Sequence, residues 1–235
     1  MRNELLLIIS LILLYSTLLG FYYYFGKTGL HAWTVLATIT ANIEVLILVN
    51  AFGMEQTLGN VLFASNFLVT DILSEIFGKE EANKAVNIGI ATSFVFILIS
   101  QSWLLYLPAQ ADWAMPSIRI IFKNTPRIML SSFLVYAICQ RLDVWLYHKW
   151  WALTTRLTGD YKGYLWLRNN GSTLLSQLLN SILYNFCAFA GLYDTTTLIQ
   201  ISLSSYLIYV VTSLADTPFV YWARKIRPKN TAFSK

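Results

Sequence analysis

The residues with chemistry in this sequence are polar side chains set inside long apolar stretches. Asn42 and Glu44 lie near the centre of the apolar run 31–53. A carboxylate at that depth costs about 2.5–3.5 kcal/mol in hydrocarbon, so it is expected to face a bundle interior or a wet cavity. A protonated Glu44, or one paired with an arginine, would serve structure alone. Run 57–77 carries Asn66, Thr70, Asp71, Ser74 and Glu75. Asp71 and Glu75 are four residues apart and share a helical face, either gating a ligand or forming a structural ion pair with Arg141 or Arg168. Run 126–148 carries Arg127, Ser132, Tyr136, Gln140 and Asp143 at steps of 5, 4, 4 and 3. That near-3.6 period makes one polar stripe. It is a cavity wall, or else a line of interhelical hydrogen bonds worth about 0.6 kcal/mol each.

The segment around 172–193 is the most polar of these. It opens with Trp166-Leu167-Arg168-Asn169-Asn170-Gly171-Ser172-Thr173. Thr173, Gln177, Asn180 and Tyr184 then follow at i, i+4, i+7 and i+11, which no lipid-facing helix would show. Gly171 is expected to break the helix there, freeing backbone N–H groups for a ligand. Run 198–222 sets Ser202, Ser205, Tyr209, Thr212 and Asp216 on one face, and Pro218 is expected to kink its end. Phe63, Phe67, Trp166 and Tyr184 sit near the polar stripes, where a flat ligand could stack and where ordinary packing is the plainer reading. Amides, hydroxyls, carboxylates and rings together suit a polar, planar, weakly charged solute. A carboxylate can accept two N–H groups from a guanine-like edge, and an amide can both donate and accept.

Positioning these residues requires membrane helices. Of 235 residues, 56% are hydrophobic and only 12% charged, about half the charged fraction of a soluble domain. A soluble globular protein and a disordered chain are excluded. Seven runs approach the length of about 20 residues that a crossing needs: 5–25, 31–53, 57–77, 85–107, 126–148, 172–193 and 198–222. The expected fold is all-α, a polytopic membrane helix bundle of about seven transmembrane helices in a single domain. The first run is too long for a signal-peptide core and lacks a small-residue cleavage site, so an uncleaved helix is expected. Cys139 and Cys187 lie in apolar segments and read as buried thiols. His31 and His148 are far apart, and no metal site or cofactor is expected. With alternating spans, twelve Lys and Arg residues fall on one side and four on the other, Arg141 aside. The positive-inside rule then puts the amino terminus outside and the carboxyl terminus in the cytoplasm. The net charge of +5 needs no nucleic-acid partner.

Four segments carry a resemblance. Phe67-Leu68-Val69-Thr70-Asp71 with Glu75 and Gly78 resembles the F-x-x-T-D-x-x-x-E-x-x-G segment of the queuosine precursor transporter family, also called the vitamin uptake transporter family. Arg127, Ser132, Tyr136, Gln140 and Asp143 resemble its R-x-x-x-x-S-x-x-x-Y-x-x-x-Q-x-x-D run. Leu165 to Asn170 with Ser172, Thr173, Ser176 and Gln177 resembles its L-W-L-R-N-N-x-S-T-x-x-S-Q, and Asp216-Thr217-Pro218 its last-helix ending. The resemblance covers about residues 35–225. It implies an inner (plasma) membrane importer of 7-deazaguanine bases such as preQ0, preQ1 or queuine, salvaged for queuosine in tRNA. It also implies a six-span core (29–225), with 1–28 an added helix and 226–235 a basic cytoplasmic tail. This chain departs from the family pattern at Ala64, where the family has Pro, at Asn180, where it has Asp, and at Tyr209, where it has Lys. If the last two pair in relatives, the pair has been lost as a unit.

Depth and face suggest the roles. Asn42, Glu44, Asn169, Asn170 and Gln177 would read the base edge, with Thr173 and Asn180 beside them. Trp166, Phe67 or Tyr184 would stack on the ring. Asp71, Glu75, Arg127, Asp143 and Arg168 would form gating or structural ion pairs. The expected partners are the nucleobase and the bilayer, with the chain acting alone or as a homodimer. The competing function is the substrate-binding subunit of an ATP-driven vitamin or base importer. No phosphate-binding G-x-x-x-x-G-K-[ST] occurs, so an ATPase module would have to be a separate partner. An intramembrane enzyme is disfavoured, since neither G-x-S-x-G nor H-E-x-x-H is present.

Overall fold

In the computed structural model, residues 2–123 and 126–229 are described. Its elements run α1 (Arg2–Glu44), β1 (Leu48–Ala51), β2 (Met54–Thr57), α2 (Gly59–Ile76), α3 (Lys79–Trp103), α4 (Met115–Lys123), α5 (Pro126–Thr158), α6 (Leu165–Phe189) and α7 (Thr195–Ala223). The architecture is a helical membrane bundle. Among the described residues four helices, α1, α3, α5 and α7, are long and apolar enough to cross a bilayer.

Helix α1 is two arms folded on each other. Gly26 breaks it with φ 59° and ψ −143°, a backbone region that only glycine occupies without strain. The arms run antiparallel. Phe21 meets Trp33 with ring centroids 5.5 Å apart. Asn3 of the first arm donates to the Asn50 carbonyl beyond the end of the second, at 2.9 Å.

The expected run 31–53 is corrected. Its helix ends at Glu44, and a two-stranded hairpin occupies 48–57. Phe52 (φ 54°) and Gly53 (φ 74°) both adopt positive φ, the signature of a tight I′ hairpin turn. Ala51-Phe52-Gly53-Met54 therefore stops a stretch that its apolarity alone would carry across a membrane. Helix α5 is longer than expected, and α6 starts earlier and is continuous through Gly171, with no break. Gly171 is there for room: a Cβ on it would come within 3.0 Å of the Trp150 indole nitrogen.

Helix α2 is the hub. It is buried almost from end to end and packs against α1, α3, α5 and α7. Helices α5 and α6 pack antiparallel, linked from Asp143–Ser176 to Arg127–Cys187. Helix α7 lies against α6 through Asn169–Asp216. Of the two cysteines, Cys139 is buried, but Cys187 is exposed, which corrects the expectation of two buried thiols. Arg141, assigned to a span interior, is exposed and donates to Asn87 at 3.2 Å.

The basic loci converge on one end of the bundle. Lys27 meets Glu81 at 3.1 Å, the Lys229 amide donates to the Tyr23 carbonyl, and Arg224 donates to the Lys162 carbonyl. Residues 230–235 of the tail lie outside the described residues.

Candidate functional site

Three polar layers follow one another along α2, at Asn66, Asp71 and Glu75. At about 1.5 Å per residue they are spaced by roughly 7 and 6 Å.

The layer nearest the β-hairpin is a cavity of about 40 Å³, room for a few water molecules. The second arm of α1 contributes Thr38 and Asn42. Helix α2 contributes Asn60, Phe63 and Asn66, α3 Ser93, α5 Ser132 and Tyr136, α6 Asn180 and Tyr184, and α7 Tyr209. Among the described residues none of its lining side chains is charged. Small residues let these helices close in: a Cβ on Gly89 would overlap the Tyr136 hydroxyl, and one on Gly59 would sit 3.0 Å from the Ala41 carbonyl.

Some of the lining polar groups are paired. The Tyr209 hydroxyl donates to Asn60 Oδ1 at 3.0 Å, and Asn180 lies beside the same hydroxyl. Others are not. Asn42 donates to the Thr38 carbonyl at 2.7 Å, and its Oδ1 has no partner among the described residues. Among the described residues both amide atoms of Asn66 and the Tyr184 hydroxyl also lack one, while Thr38 lies beside the Tyr136 hydroxyl. Burying such a group unpaired costs about 1–3 kcal/mol. Several such groups line this one space.

The middle layer holds three buried aspartates. Asp71 of α2 accepts from Thr173 at 3.3 Å, Asp143 of α5 from Ser176 at 2.9 Å, and Asp216 of α7 from Asn169 at 2.7 Å. Asn170 donates to Thr217 at 2.8 Å and accepts from Ser213 at 3.2 Å. Gln140 accepts from Thr70.

The layer at the basic end is an ion pair. Arg168 grips Glu75 with two bonds of 2.7 and 2.9 Å and donates to the Gly163 carbonyl. Tyr147 donates to Glu75 at 2.7 Å, and Arg224 approaches it at 3.5 Å. The Arg168 guanidinium lies 4.2 Å from the centre of the Trp151 ring. The left-handed Tyr164 (φ 58°) starts α6 here, placing Arg168 one turn inside. Below it, outside the bundle interior, His31 and Lys27 hold Glu81 below the usual carboxylate range, the His31 hydrogen bond being the larger cause.

The expected site residues therefore divide. Asn42, Asn180 and Tyr184 line the cavity. Asn169, Asn170 and Thr173 are turned into the aspartate layer instead. Gln177 is buried, with its Oε1 unpartnered among the described residues, but is not a lining residue. Phe67 is buried against Phe63. Trp166 is 54% exposed on the outer face of α6 and has no ring to stack in the interior. Glu44 ends its helix beside Val45 rather than standing at mid-span. Arg127 forms no ion pair among the described residues; it donates to the Cys187 and Ala190 carbonyls and caps α6. Asp71 and Asp143 have no basic partner there either. Thr38, Asn60 and Ser93 went unread in the sequence. A Gly89-x-x-x-Ser93 pair of small residues on an apolar helix was the available signal for the last.

Comparison with known proteins bears on this geometry. Residues 57–223 match the family described as "Putative vitamin uptake transporter". A Bacillus subtilis (strain 168) protein named "Probable queuosine precursor transporter" is 37% identical over 230 residues, 98% of both chains. The chain belongs to the vitamin uptake (queuosine precursor) transporter family. A Haemophilus influenzae protein of the same name is 28% identical over 128 residues, covering 50% of this chain and 51% of that one. No solved structure matches. Family and apolar helices together make this a multi-pass membrane protein.

Proposed function

We propose that this protein imports 7-deazaguanine precursors of queuosine and binds them in the uncharged cavity between α1, α2, α3, α5, α6 and α7. The observation that carries the reading is the set of polar atoms on Asn42, Asn66 and Tyr184 without a partner among the described residues, lying among the rings of Phe63, Tyr136 and Tyr209. Asn66 offers both an acceptor and a donor to a base edge, Asn42 an acceptor, and the rings a stacking surface. The names of the relatives supply the substrate class. A cavity without charged side chains suits the nitrile base preQ0 better than the ammonium-bearing preQ1 or queuine, since an unpaired cation there would be costly.

At about 40 Å³ the cavity is smaller than a bicyclic base, so loading requires the tyrosines to move or the helices to separate. The ion pair of Arg168 and Glu75 closes the path toward the basic end. By the positive-inside rule that end is cytoplasmic, with the amino terminus outside and the plasma membrane as the site of action. The chain works alone or as a homodimer, as a secondary importer.

The test is rescue. Cells without queuosine synthesis and without their own importer, but holding the later enzymes, receive the chain and nanomolar base. Queuosine should appear in tRNA with preQ0 and disappear in Asn66→Leu at equal membrane expression. No rescue with any base would refute the reading and turn attention to a binding subunit that needs a separate ATPase.

A further inference from the structure

The aspartate layer has no task in the reading above. Asp71, Asp143 and Asp216 are each no more than 1% exposed. They come from three helices, and among the described residues no ion pair reaches any of them. Asp71 feels both Asp143 and Asp216 electrostatically; like charges in a low dielectric repel, and each buried charge carries a desolvation cost of several kcal/mol. The hydrogen bonds available are too few to offset that. Thr173 has one hydroxyl proton, given to Asp71, although Asp143 is also within its reach. The Ser172 hydroxyl beside Asp143 is already bonded to the Arg168 carbonyl at 2.8 Å. Among the described residues Asp71 Oδ1 and Asp143 Oδ2 are left with no partner.

A second observation points the same way. Asn169 is fully buried, and its amide nitrogen is anchored on Asp216. Its carbonyl oxygen Oδ1, in the same layer, also has no partner among the described residues. Buried acceptors in excess over donors are what added protons satisfy, because a protonated carboxyl can donate to a neighbouring oxygen.

The other titratable groups facing the layer are few. Tyr15 of α1 faces Asp71 and Asp216, Cys139 of α5 faces Asp143, and Glu75, Tyr147 and Arg168 lie one turn toward the basic end. Glu75 and Arg168 neutralise each other, and the phenols and thiol bring no positive charge.

We propose that Asp71 and Asp143 form a proton-binding pair that couples base import to the proton gradient, with Asp216 and Asn169 holding the pair's surroundings in place. This rests on the importer reading. One proton reaches a carboxylate oxygen from the cavity side while the Glu75–Arg168 pair is closed. It leaves toward the basic end when that pair opens and the base departs.

The experiment uses the full-length protein in proteoliposomes with radiolabelled preQ0. A gradient of one pH unit, acidic outside, corresponds to about tenfold in accumulation per coupled proton. Accumulation should rise by about that factor and collapse with a protonophore. Asp143→Asn, which mimics the protonated carboxyl, should keep base counterflow and lose the gradient response, and Asp71→Asn should behave alike. Accumulation indifferent to the proton gradient, accumulation driven by sodium instead, or an Asp143→Asn protein still driven by protons would each overturn the coupling assignment. Counterflow separates a misfolded variant from an uncoupled one. Absence of counterflow and binding in the unaltered protein would overturn the importer reading itself, and this inference with it.

Discussion

Replacing Arg168 with Met should destabilise the protein by about 3 kcal/mol, the low end of the 3–5 kcal/mol typical when one partner of a buried ion pair is removed. The structure sets the low end. Glu75, whose side chain is 4% exposed, would lose both guanidinium bonds but keep the Tyr147 hydroxyl at 2.7 Å and the distant Arg224 at 3.5 Å. At about 2–4 °C per kcal/mol for a chain of this size, Tm should fall by roughly 6–12 °C. Glu75→Gln should cost less, because Arg168 retains the Gly163 carbonyl and the Trp151 face, and a glutamine oxygen can still accept from it. The double variant Arg168→Met with Glu75→Gln removes the stranded charge and should be more stable than Arg168→Met alone. Tryptophan-fluorescence melting in detergent reads all three. A change under 2 °C in Arg168→Met, or a double variant no better than that single one, would refute the view that a buried, mutually compensated pair seals the basic end.

Other perturbations follow from the same layers. Asn66→Leu removes two unpartnered buried atoms, so it should raise Tm or leave it unchanged while abolishing uptake; a marked loss of stability would mean those atoms are bonded in the working protein. Asn180→Asp with Tyr209→Lys places opposite charges side by side in the cavity. It should shift preference toward the ammonium-bearing base or change the pH dependence of uptake, and competition between preQ0 and preQ1 would reveal it. Glu81 is held below its ordinary value of 4.5 by His31 and Lys27. Its stabilising contribution is therefore present above that pH and lost as pH falls through the depressed value, and Glu81→Gln should flatten the acid limb of a melting-temperature profile.

The helices were legible because apolar runs of membrane length and 3.6-residue polar stripes are strong signals. The stripe through Tyr136, Gln140 and Asp143 does face the interior, as do Asn180 and Tyr184 on α6. Boundaries were less legible. Glu44 looked central because Leu46, Ile47, Leu48 and Val49 prolong the apolar run, yet those same residues suit a hairpin once Phe52-Gly53 turns the chain. Gly171 looked like a helix breaker because the sequence does not show Trp150 packed against it. Asn169 and Asn170 looked like ligand contacts because an amide's partner is invisible in one dimension; Asp216 and Thr217, 47 residues away, engage them first. The three aspartates were each visible, but their assembly into one layer depends on how α2, α5 and α7 pack.

The central claim is that the uncharged cavity is where the base binds. Calorimetric titration of the purified protein with preQ0 tests it most directly. Asn66→Leu and Tyr184→Phe should each weaken binding by at least tenfold, and Trp166→Ala, on the outer face, should leave it unchanged. Unaltered affinity in both cavity variants, with the protein still folded, would contradict the account.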